Sequence, residues 1–298
     1  MQRSERSTYK HKLPVRLSHW LNVICFFILL GSGLNIFNAH PKLYWGQFSH
    51  FETPLVWLHA KYGENRKLVG LTQIAGKDFT TTGVLGVSNN LMGQPTPVGF
   101  PGWSTIPSGR NLADARLWHF FFAWIFVING LLFLLWAWRS KHYSRDLHPS
   151  TSDWRGIFKS IWEHMRFKHP EGEATVRYNI LQKLAYVSVL YIFLPGLVLM
   201  GLCMSPHMGS VLGWLMDLVG GRQSARTLHF VFAGLMVAFI GVHVAMVLLT
   251  GPVNQIRSMI TGRFKFHEPI VSIPVPDEAN GEAQTESVPA EEINHVKQ

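Results

Sequence analysis

A long uncharged and mostly apolar stretch in the last quarter of the chain constrains its fold more than any other feature. No Asp, Glu, Lys or Arg occurs between Arg226 and Arg257, and the residues up to Leu249 are mostly apolar. At about 1.5 Å of rise per residue, a helix of roughly 20 such residues spans the hydrocarbon core of a bilayer. The stretch nevertheless contains His229 and His243. Because an ionisable side chain in lipid requires a partner, each histidine is a candidate functional residue.

The spacing of these two histidines places them on one face of the predicted helix, at two depths. Positions 229 and 243 are separated by about 21 Å along the axis and by about 40° around it. One face therefore offers one ligand to each of two flat cofactors stacked across the membrane. Hydrogen bonds to neighbouring helices explain both histidines equally well as long as this helix is considered alone.

Three further apolar runs indicate a polytopic membrane protein. Of the 298 residues, 47% are hydrophobic and 15% are charged, and the apolar residues occur in blocks of spanning length. The predicted spans are residues 17–37, 115–138, 181–204 and 226–250. We therefore predict an all-α integral membrane protein, a bundle of four transmembrane helices. Residues 1–16 precede this domain, which extends from 17 to 264, and the acidic tail 265–298 is expected to be disordered.

The distribution of Lys and Arg predicts the orientation of the bundle. Basic residues are dense before span 1 and between spans 2 and 3, whereas the connection between spans 3 and 4 carries only Arg222 and Arg226. By the positive-inside rule, both termini face the cytoplasm, and residues 38–114 form a long extracytoplasmic loop. The same rule accounts for the net charge of +9, so no nucleic acid partner is expected. The predicted location is the cytoplasmic (inner) membrane of a bacterium.

Amphipathic and apolar segments outside the spans are expected to contact the membrane surface. Residues 153–167 place large apolar side chains on one helical face and charges on the other, which predicts an in-plane helix. Residues 54–59 and 68–75 of the long loop are short apolar pieces expected to lie along the surface. The loop itself is long enough to serve as a docking site for a partner protein.

Two of the other spans each supply one histidine, and the predicted topology pairs them by depth. Spans 2 and 4 enter from the outer face and carry His119 and His229 near their starts, whereas span 1 enters from the inner face with His19 near its start. His119 is therefore predicted to pair with His229 at the outer level, and His19 with His243 at the inner level. Two imidazoles fill both axial positions of a haem iron, which favours electron transfer over catalysis at the iron.

Glycines and arginines near the histidines fit the same interpretation. Gly33 and Gly130 lie on the histidine faces of spans 1 and 2, each at the level of the other cofactor, where a missing side chain leaves room for a porphyrin. Close helix packing explains these glycines equally well. An arginine precedes a histidine by three residues at Arg16, Arg116 and Arg226. Each arginine could bind a haem propionate, although snorkelling to the interface is the alternative.

Three motifs of the predicted spans form a recognisable set: PVRLSHW at 14–20, LWH at 117–119 and the His229/His243 pair. Together they resemble the bacterial di-haem cytochrome b561 superfamily, which includes the cytochrome b subunits of nickel–iron hydrogenases and formate dehydrogenases. The resemblance extends from about Lys12 to Phe264 and implies two b-type haems on His19, His119, His229 and His243, with quinone exchange at one membrane face.

Residues 100–124, FPGWSTIPSGRNLADARLWHFFFAW, are also similar to the thiosulfate-reductase-type cytochrome b subgroup, whose members commonly accompany a molybdopterin oxidoreductase.

These features predict an electron-transfer subunit of an oxidoreductase complex rather than a stand-alone enzyme. The expected chain holds two haems b and transfers electrons between the quinone pool and an extracytoplasmic molybdopterin oxidoreductase docked on the 38–114 loop. Quinone is expected near the inner haem. The alternatives are a hydrogenase or formate dehydrogenase subunit and a haem-free membrane anchor. A transporter is disfavoured, because no acidic residue lies within the predicted spans.

Overall fold

Four long apolar helices dominate the computed structural model, which describes residues 3–63, 66–90, 92–141, 180–205, 207–276 and 283–289. The helices that could cross a membrane are Leu13–Ala39, Leu112–Arg139, Leu184–Met204 and Arg222–Leu249. The prediction of a mostly helical chain with four spans is thereby confirmed. The amphipathic helix predicted at 153–167 lies outside the described residues.

The helices are named here in chain order. They are α1 (Leu13–Ala39), α2 (Leu112–Arg139), α3 (Ile180–Ser188), α4 (Leu194–Met204), α5 (Gly213–Leu218), α6 (Arg222–Leu249) and α7 (Pro252–Thr261). A π-helical segment, Val189–Phe193, joins α3 to α4. Pro195 follows this wide turn and has no N–H to donate to the helix before it, so the irregular segment lies where the regular ladder would be interrupted. Single 3₁₀ turns occur at Gly102–Ser104 and His207–Gly209.

The chain divides into two compact units. The larger contains Leu17–Ser140 and Val187–Gly241, and the smaller contains Met1–Arg16, Lys141–Tyr186 and Val242–Gln298. In the larger unit, the connection between α1 and α2 forms a four-stranded antiparallel sheet and a separate hairpin. The sheet has the order β2 (Lys42–Leu43), β3 (Val56–Tyr62), β4 (Leu68–Ile74), β5 (Lys77–Thr80), and the hairpin pairs β6 (Gly86–Asn89) with β7 (Pro95–Val98).

Residues 54–59 and 68–75, expected to lie along the membrane surface, fall mainly in strands β3 and β4 of this sheet, and their contact with a membrane stays a prediction. The two strands pair in antiparallel register, from Val56 opposite Ile74 to Tyr62 opposite Leu68. Strand β4 also packs closely on the hairpin, because a Cβ atom on Gly70 would lie 2.6 Å from the backbone nitrogen of Val87. These short apolar pieces therefore pack on one another.

The connection is attached to the ends of α1 and α6 by a buried apolar cluster. Phe37 of α1 packs with Leu43 and Leu58, and Phe100 and Phe230 lie against this cluster. Two buried amides of α1 add hydrogen bonds: Asn35 Nδ2 donates to the carbonyls of Pro107 and Gly109, each at 2.8 Å, and Asn38 pairs with both backbone groups of Phe100. The segment before α2 is thus held against the last turns of α1.

Helix α4 packs tightly against α6 within the larger unit. A Cβ atom on Gly196 would lie 2.6 Å from the ring of Phe232, so the glycine permits the close approach of the two helices. Near the other end of α4, Met200 and Cys203 form a buried cluster with Leu215 and Ala225. This packing positions the carbonyl groups of α4 near the side chains of α6.

The smaller unit contains α7 and a three-stranded antiparallel sheet in the order β1 (Arg3–Tyr9), β8 (Arg263–Pro276), β9 (Ala283–Pro289). Glycines with positive φ, Gly251 at 96° and Gly262 at 84°, bound α7. Strands β8 and β9 fall largely within residues 265–298, for which disorder stays a prediction. Their first part is rich in β-branched residues, at positions 270, 271, 273 and 275, which favour extended structure.

Candidate functional site

The side chains of His119 and His229 face each other within the larger unit. His119 lies on α2 and His229 on α6, each in the second turn of its helix. The centroids of the two imidazole rings are 6.3 Å apart, and the ring planes are inclined by 66°. The two helices thus bring together the two residues predicted to pair at the outer level.

The Nδ1 atom of His119 lies 3.0 Å from the hydroxyl oxygen of Ser32 on α1. Ser32 is fully buried, and its hydroxyl lies 2.6 Å from the carbonyl oxygen of Ile28 and 3.2 Å from that of Leu29. A hydroxyl has one proton, and the short contact to a carbonyl uses it. The serine oxygen therefore accepts a hydrogen bond from Nδ1–H of His119, which leaves the Nε2 atom of that ring with a free lone pair.

The Nδ1 atom of His229 is bonded in the same sense to a different acceptor. It lies 2.8 Å from the carbonyl oxygen of Leu197 on α4. A carbonyl only accepts hydrogen bonds, so Nδ1 carries the proton and Nε2 carries the lone pair. Both rings are therefore in the tautomer in which Nε2 is available as a metal ligand.

A glycine lies beside each imidazole ring. A Cβ atom on Gly33 of α1 would lie 3.4 Å from Cε1 of His119, and a Cβ atom on Gly201 of α4 would lie 3.4 Å from Cε1 of His229. These are ordinary van der Waals distances, so a methyl group would fit whereas a branched side chain would meet the ring. Gly33 is expected at the level of the outer histidine pair, beside a porphyrin. The group that it contacts in the structure is the imidazole ring of His119.

The pair has the separation and the chemistry of a bis-imidazole haem site. Two imidazoles on opposite sides of one metal ion, each bonded at about 2 Å, have centroids roughly 6 Å apart. The 66° inclination is compatible, since each ring can rotate about its own metal–nitrogen bond. Within the described residues, no group of three or more His, Cys, Asp or Glu side chains could hold a bare metal ion. A porphyrin, however, supplies four ligands itself and requires only two from the protein.

The three arginines predicted to bind propionates have other contacts in the structure. Arg226 donates from Nη2 to the carbonyl oxygen of His40 at 2.7 Å and lies over the ring of Phe37. The guanidinium of Arg116 lies 5.9 Å from the ring of Phe120 on the same helix. Arg16 donates from Nη1 to the carbonyl oxygen of Ile260 at 2.7 Å, in the last turn of α7. Each guanidinium has five N–H groups, so these contacts leave further donors that could bind a propionate. Propionate binding by these residues stays a prediction.

The remaining predicted residues are His19, Gly130 and His243, and their roles stay predictions. The ring of His19 on α1 makes an edge-to-face contact with Trp20 at 5.2 Å. A Cβ atom on Gly130 would meet no heavy atom within 4 Å among the described residues. His243 lies near the end of α6. The predicted pairing of His19 with His243 rests on the directions of the two helices and on the family resemblance.

Polar side chains on either side of His19 join α1 to α2. The amide of Asn129 donates to the hydroxyl of Ser18 at 3.1 Å and to the amide oxygen of Asn22 at 2.8 Å. Such bonds hold transmembrane helices together, because lipid offers polar groups no alternative partner.

Ser32, Leu197 and Gly201 are the residues of this site that the sequence analysis did not single out. Leu197 contributes a backbone carbonyl, so its side chain carries no signal. Ser32 has one: it is a polar residue between two glycines, in a span predicted to pass beside His119. Gly201 lies in the one predicted span that contains no histidine, so its sequence showed no sign of a role at this site.

The comparisons with known proteins agree with this geometry. The family described as prokaryotic cytochrome b561 matches residues 10–262. A relative from Azospira oryzae, named "Putative protein-methionine-sulfoxide reductase subunit YedZ1", is 28% identical over 249 residues, 80% of this chain and 90% of that protein. A relative from Cupriavidus necator, named "Probable Ni/Fe-hydrogenase B-type cytochrome subunit", is 23% identical over 279 residues, 89% of this chain and 90% of that protein.

A protein of the same name from Azotobacter vinelandii is 25% identical over 192 residues, 60% of this chain and 79% of that protein. No solved structure matches the chain. The match to the family covers most of the chain, including the four candidate spans and all four histidines within them. The chain therefore belongs to the prokaryotic cytochrome b561 family.

Proposed function

We propose that this membrane b-type cytochrome holds two haems b and transfers electrons between the quinone pool and a redox enzyme outside the cytoplasm. The observation that carries the proposal is the pair His119 and His229, with ring centroids 6.3 Å apart and both Nδ1 atoms bonded to acceptors. When bound between two imidazoles, haem b supplies reversible one-electron transfer without an open position for oxygen chemistry.

The outer haem is assigned to His119 and His229. The imidazoles would bind the iron through Nε2, while Ser32 and the carbonyl of Leu197 keep the opposite nitrogens protonated and the rings oriented. Gly33 and Gly201 leave space beside the rings. Arg116 and Arg226 are proposed partners of its propionates, since each lies one helical turn before a ligand.

The inner haem is assigned to His19 and His243. In the predicted topology, spans 1 and 4 cross the membrane in opposite directions, so a histidine near the start of one and a histidine near the end of the other are expected at the same level. Arg16 is the proposed propionate partner, and Gly130 is proposed to leave room for the porphyrin. Quinone exchange is proposed beside this haem, at the cytoplasmic face.

The redox partner is proposed to dock on residues 38–114, and we favour a molybdopterin oxidoreductase. The resemblance of residues 100–124 to the thiosulfate-reductase-type subgroup supports this choice. A relative whose name assigns it to a protein-methionine-sulfoxide reductase also supports a reductase partner. The second candidate is a nickel–iron hydrogenase, which the names of two further relatives favour.

Haem content and quinol oxidation test the assignment in the purified protein. The wild type should bind two haems b per chain, and replacement of either His229 or His243 by Ala should leave one. His243→Ala should also abolish electron transfer from quinol, because the inner haem is lost. His207, on a short turn outside the spans, provides the control: His207→Ala should retain both haems. Full quinol oxidation by a protein that contains the outer haem alone would refute the assignment of the quinone site.

A further inference from the structure

The acceptor that holds His119 is a side chain, whereas the acceptor that holds His229 belongs to the backbone. Ser32 accepts the hydrogen bond from Nδ1–H of His119 at 3.0 Å, and the carbonyl of Leu197 accepts the one from His229 at 2.8 Å. No side-chain substitution removes a carbonyl group. On the His119 side, the hydrogen bond to the hydroxyl depends on the residue at position 32, while the backbone carbonyl of Leu29 is a second partner of the ring.

The Nδ1–H group of His119 depends on this hydrogen bond more than the hydroxyl of Ser32 does. The hydroxyl of Ser32 is already satisfied by its own helix, through the carbonyls of Ile28 and Leu29, as is common for serine in transmembrane helices. The acceptors near the ring of His119 lie on α1, where the backbone carbonyl of Leu29 is a hydrogen-bond partner beside the hydroxyl of Ser32. Without an acceptor on α1, this buried donor would be left unsatisfied, which destabilises the site.

We propose that Ser32 is a positioning residue that sets the orientation and the electron-donating strength of His119, and thereby the reduction potential of the outer haem. This inference rests on the proposed function, because it requires a haem between His119 and His229. An acceptor on Nδ1–H makes an imidazole a stronger electron donor. A stronger donor stabilises the oxidised iron relative to the reduced iron, so Ser32 lowers the potential.

The expected effect of Ser32→Ala is therefore a higher midpoint potential of the outer haem with an unchanged inner haem. Potentiometric titration of the α-band absorbance of the purified full-length protein should resolve two one-electron components. The component that His229→Ala removes is the outer one. At the wild-type midpoint of that component, the ratio of reduced to oxidised haem should rise by roughly threefold to tenfold, a tenfold rise corresponding to about 59 mV. The electron paramagnetic resonance signal of the same haem should shift, since the imidazole is free to turn.

Two further variants separate the hydrogen bond from a general effect of losing a buried hydroxyl. Ser32→Thr retains a hydroxyl that can bond both the preceding turn and His119, so it should restore the wild-type potential. Ser224→Ala removes an equally buried serine of the same unit, whose hydroxyl accepts a hydrogen bond from Gly46 N at 2.8 Å, and should leave both components unchanged.

Each outcome has a distinct meaning. A shift of the outer component in Ser32→Ala, reversed in Ser32→Thr, supports the inference, as does loss of the outer haem in the first variant and its retention in the second. Two haems with unchanged potentials and unchanged resonance signals in Ser32→Ala overturn it and leave the proposed function intact. If His229→Ala retains both redox components of the wild-type protein, the inference about Ser32 and the proposed function are both overturned.

Discussion

Gly201 shows how a single missing side chain decides the position of a ligand. The glycine of α4 lies against the ring of His229, with the position of a Cβ atom 3.4 Å from Cε1. We expect Gly201→Ala to retain two haems and Gly201→Val to lose the outer one, because branched atoms would enter the space of the ring, at about 1–3 kcal/mol for overpacking. The haem-to-protein ratio of the purified variants measures this.

Gly234 provides the matched control for that prediction. It lies on α6, and a Cβ atom there would meet no heavy atom within 4 Å among the described residues. Gly234→Val should therefore retain both haems. Equal haem contents in the two valine variants would contradict the proposed packing of His229 against α4.

His40 makes the stability of the connection depend on pH. Burial lowers the pKa of His40 below its ordinary value of 6.5, and the positive charges of Arg226 and Lys42 lower that pKa further. The proton is therefore bound more tightly in the unfolded state, and the contribution of neutral His40 to stability is complete above pH 6.5 and is lost as the pH falls below it.

We expect the thermal unfolding temperature of the protein to fall between pH 7.5 and pH 5.5, and to fall less in His40→Gln. Glutamine can still bond the hydroxyl of Tyr44, which lies 3.1 Å from Nε2 of His40, but it does not titrate. His50→Gln, at an exposed histidine of the same connection, serves as the control. The same pH dependence in both variants would exclude His40 as the cause.

At the scale of elements, the strands between α1 and α2 depend on glycines at the crossing of β4 and β6. Gly86 has a φ of 78°, and a Cβ atom there would lie 2.7 Å from the backbone nitrogen of Leu71. Gly86→Ala should therefore separate the hairpin from the sheet. Limited proteolysis should then cut the connection at least tenfold faster, since cleavage follows the population of the open form and a change of about 1.4 kcal/mol is tenfold.

Gly76 distinguishes the steric effect from the cost of a positive φ. Its φ of 81° is similar, but a Cβ atom there would meet no described heavy atom within 4 Å. Gly76→Ala should accelerate cleavage only slightly. Cleavage that is equally fast in both alanine variants would indicate that the crossing of β4 and β6 is not what closes the connection.

The sequence predicted the four helices well, because a span of about 20 apolar residues is a long and unambiguous signal. It also predicted that His119 and His229 meet, since two helices that enter from the same side carry them at the same distance from their starts. The strands were missed because pieces of seven residues or fewer are too short to be told from surface segments by periodicity. The acceptors Ser32 and Leu197 were missed because hydrogen bonds between helices depend on how the helices rotate against one another, which apolar periodicity leaves undetermined.

For the whole molecule, the site at His119 and His229 explains why four helices are needed. Helices α2 and α6 supply the imidazoles, α1 supplies Ser32 and Gly33, and α4 supplies the carbonyl of Leu197 and the space at Gly201. Each helix that could span the membrane therefore contributes to the proposed bis-imidazole centre. A span without histidine is part of that centre as much as one that provides a ligand, so haem loss is expected from substitutions in α1 and α4 as well.

The orientation in the membrane that the distribution of charge predicts can be tested with cysteine labelling. Cys25 and Cys203 are fully buried, so they should not react with a maleimide that cannot cross membranes. Trp103 of the connection is 81% exposed, and Ser7 near the N-terminus is exposed as well. If the basic N-terminus faces the cytoplasm, as the positive-inside rule requires, Trp103→Cys should be labelled in intact spheroplasts, whereas Ser7→Cys should be labelled only after permeabilisation. The unsubstituted protein controls for the native thiols.

Labelling of Ser7→Cys before permeabilisation, with protection of Trp103→Cys, would place the connection in the cytoplasm, and its proposed partner would then have to be a cytoplasmic enzyme.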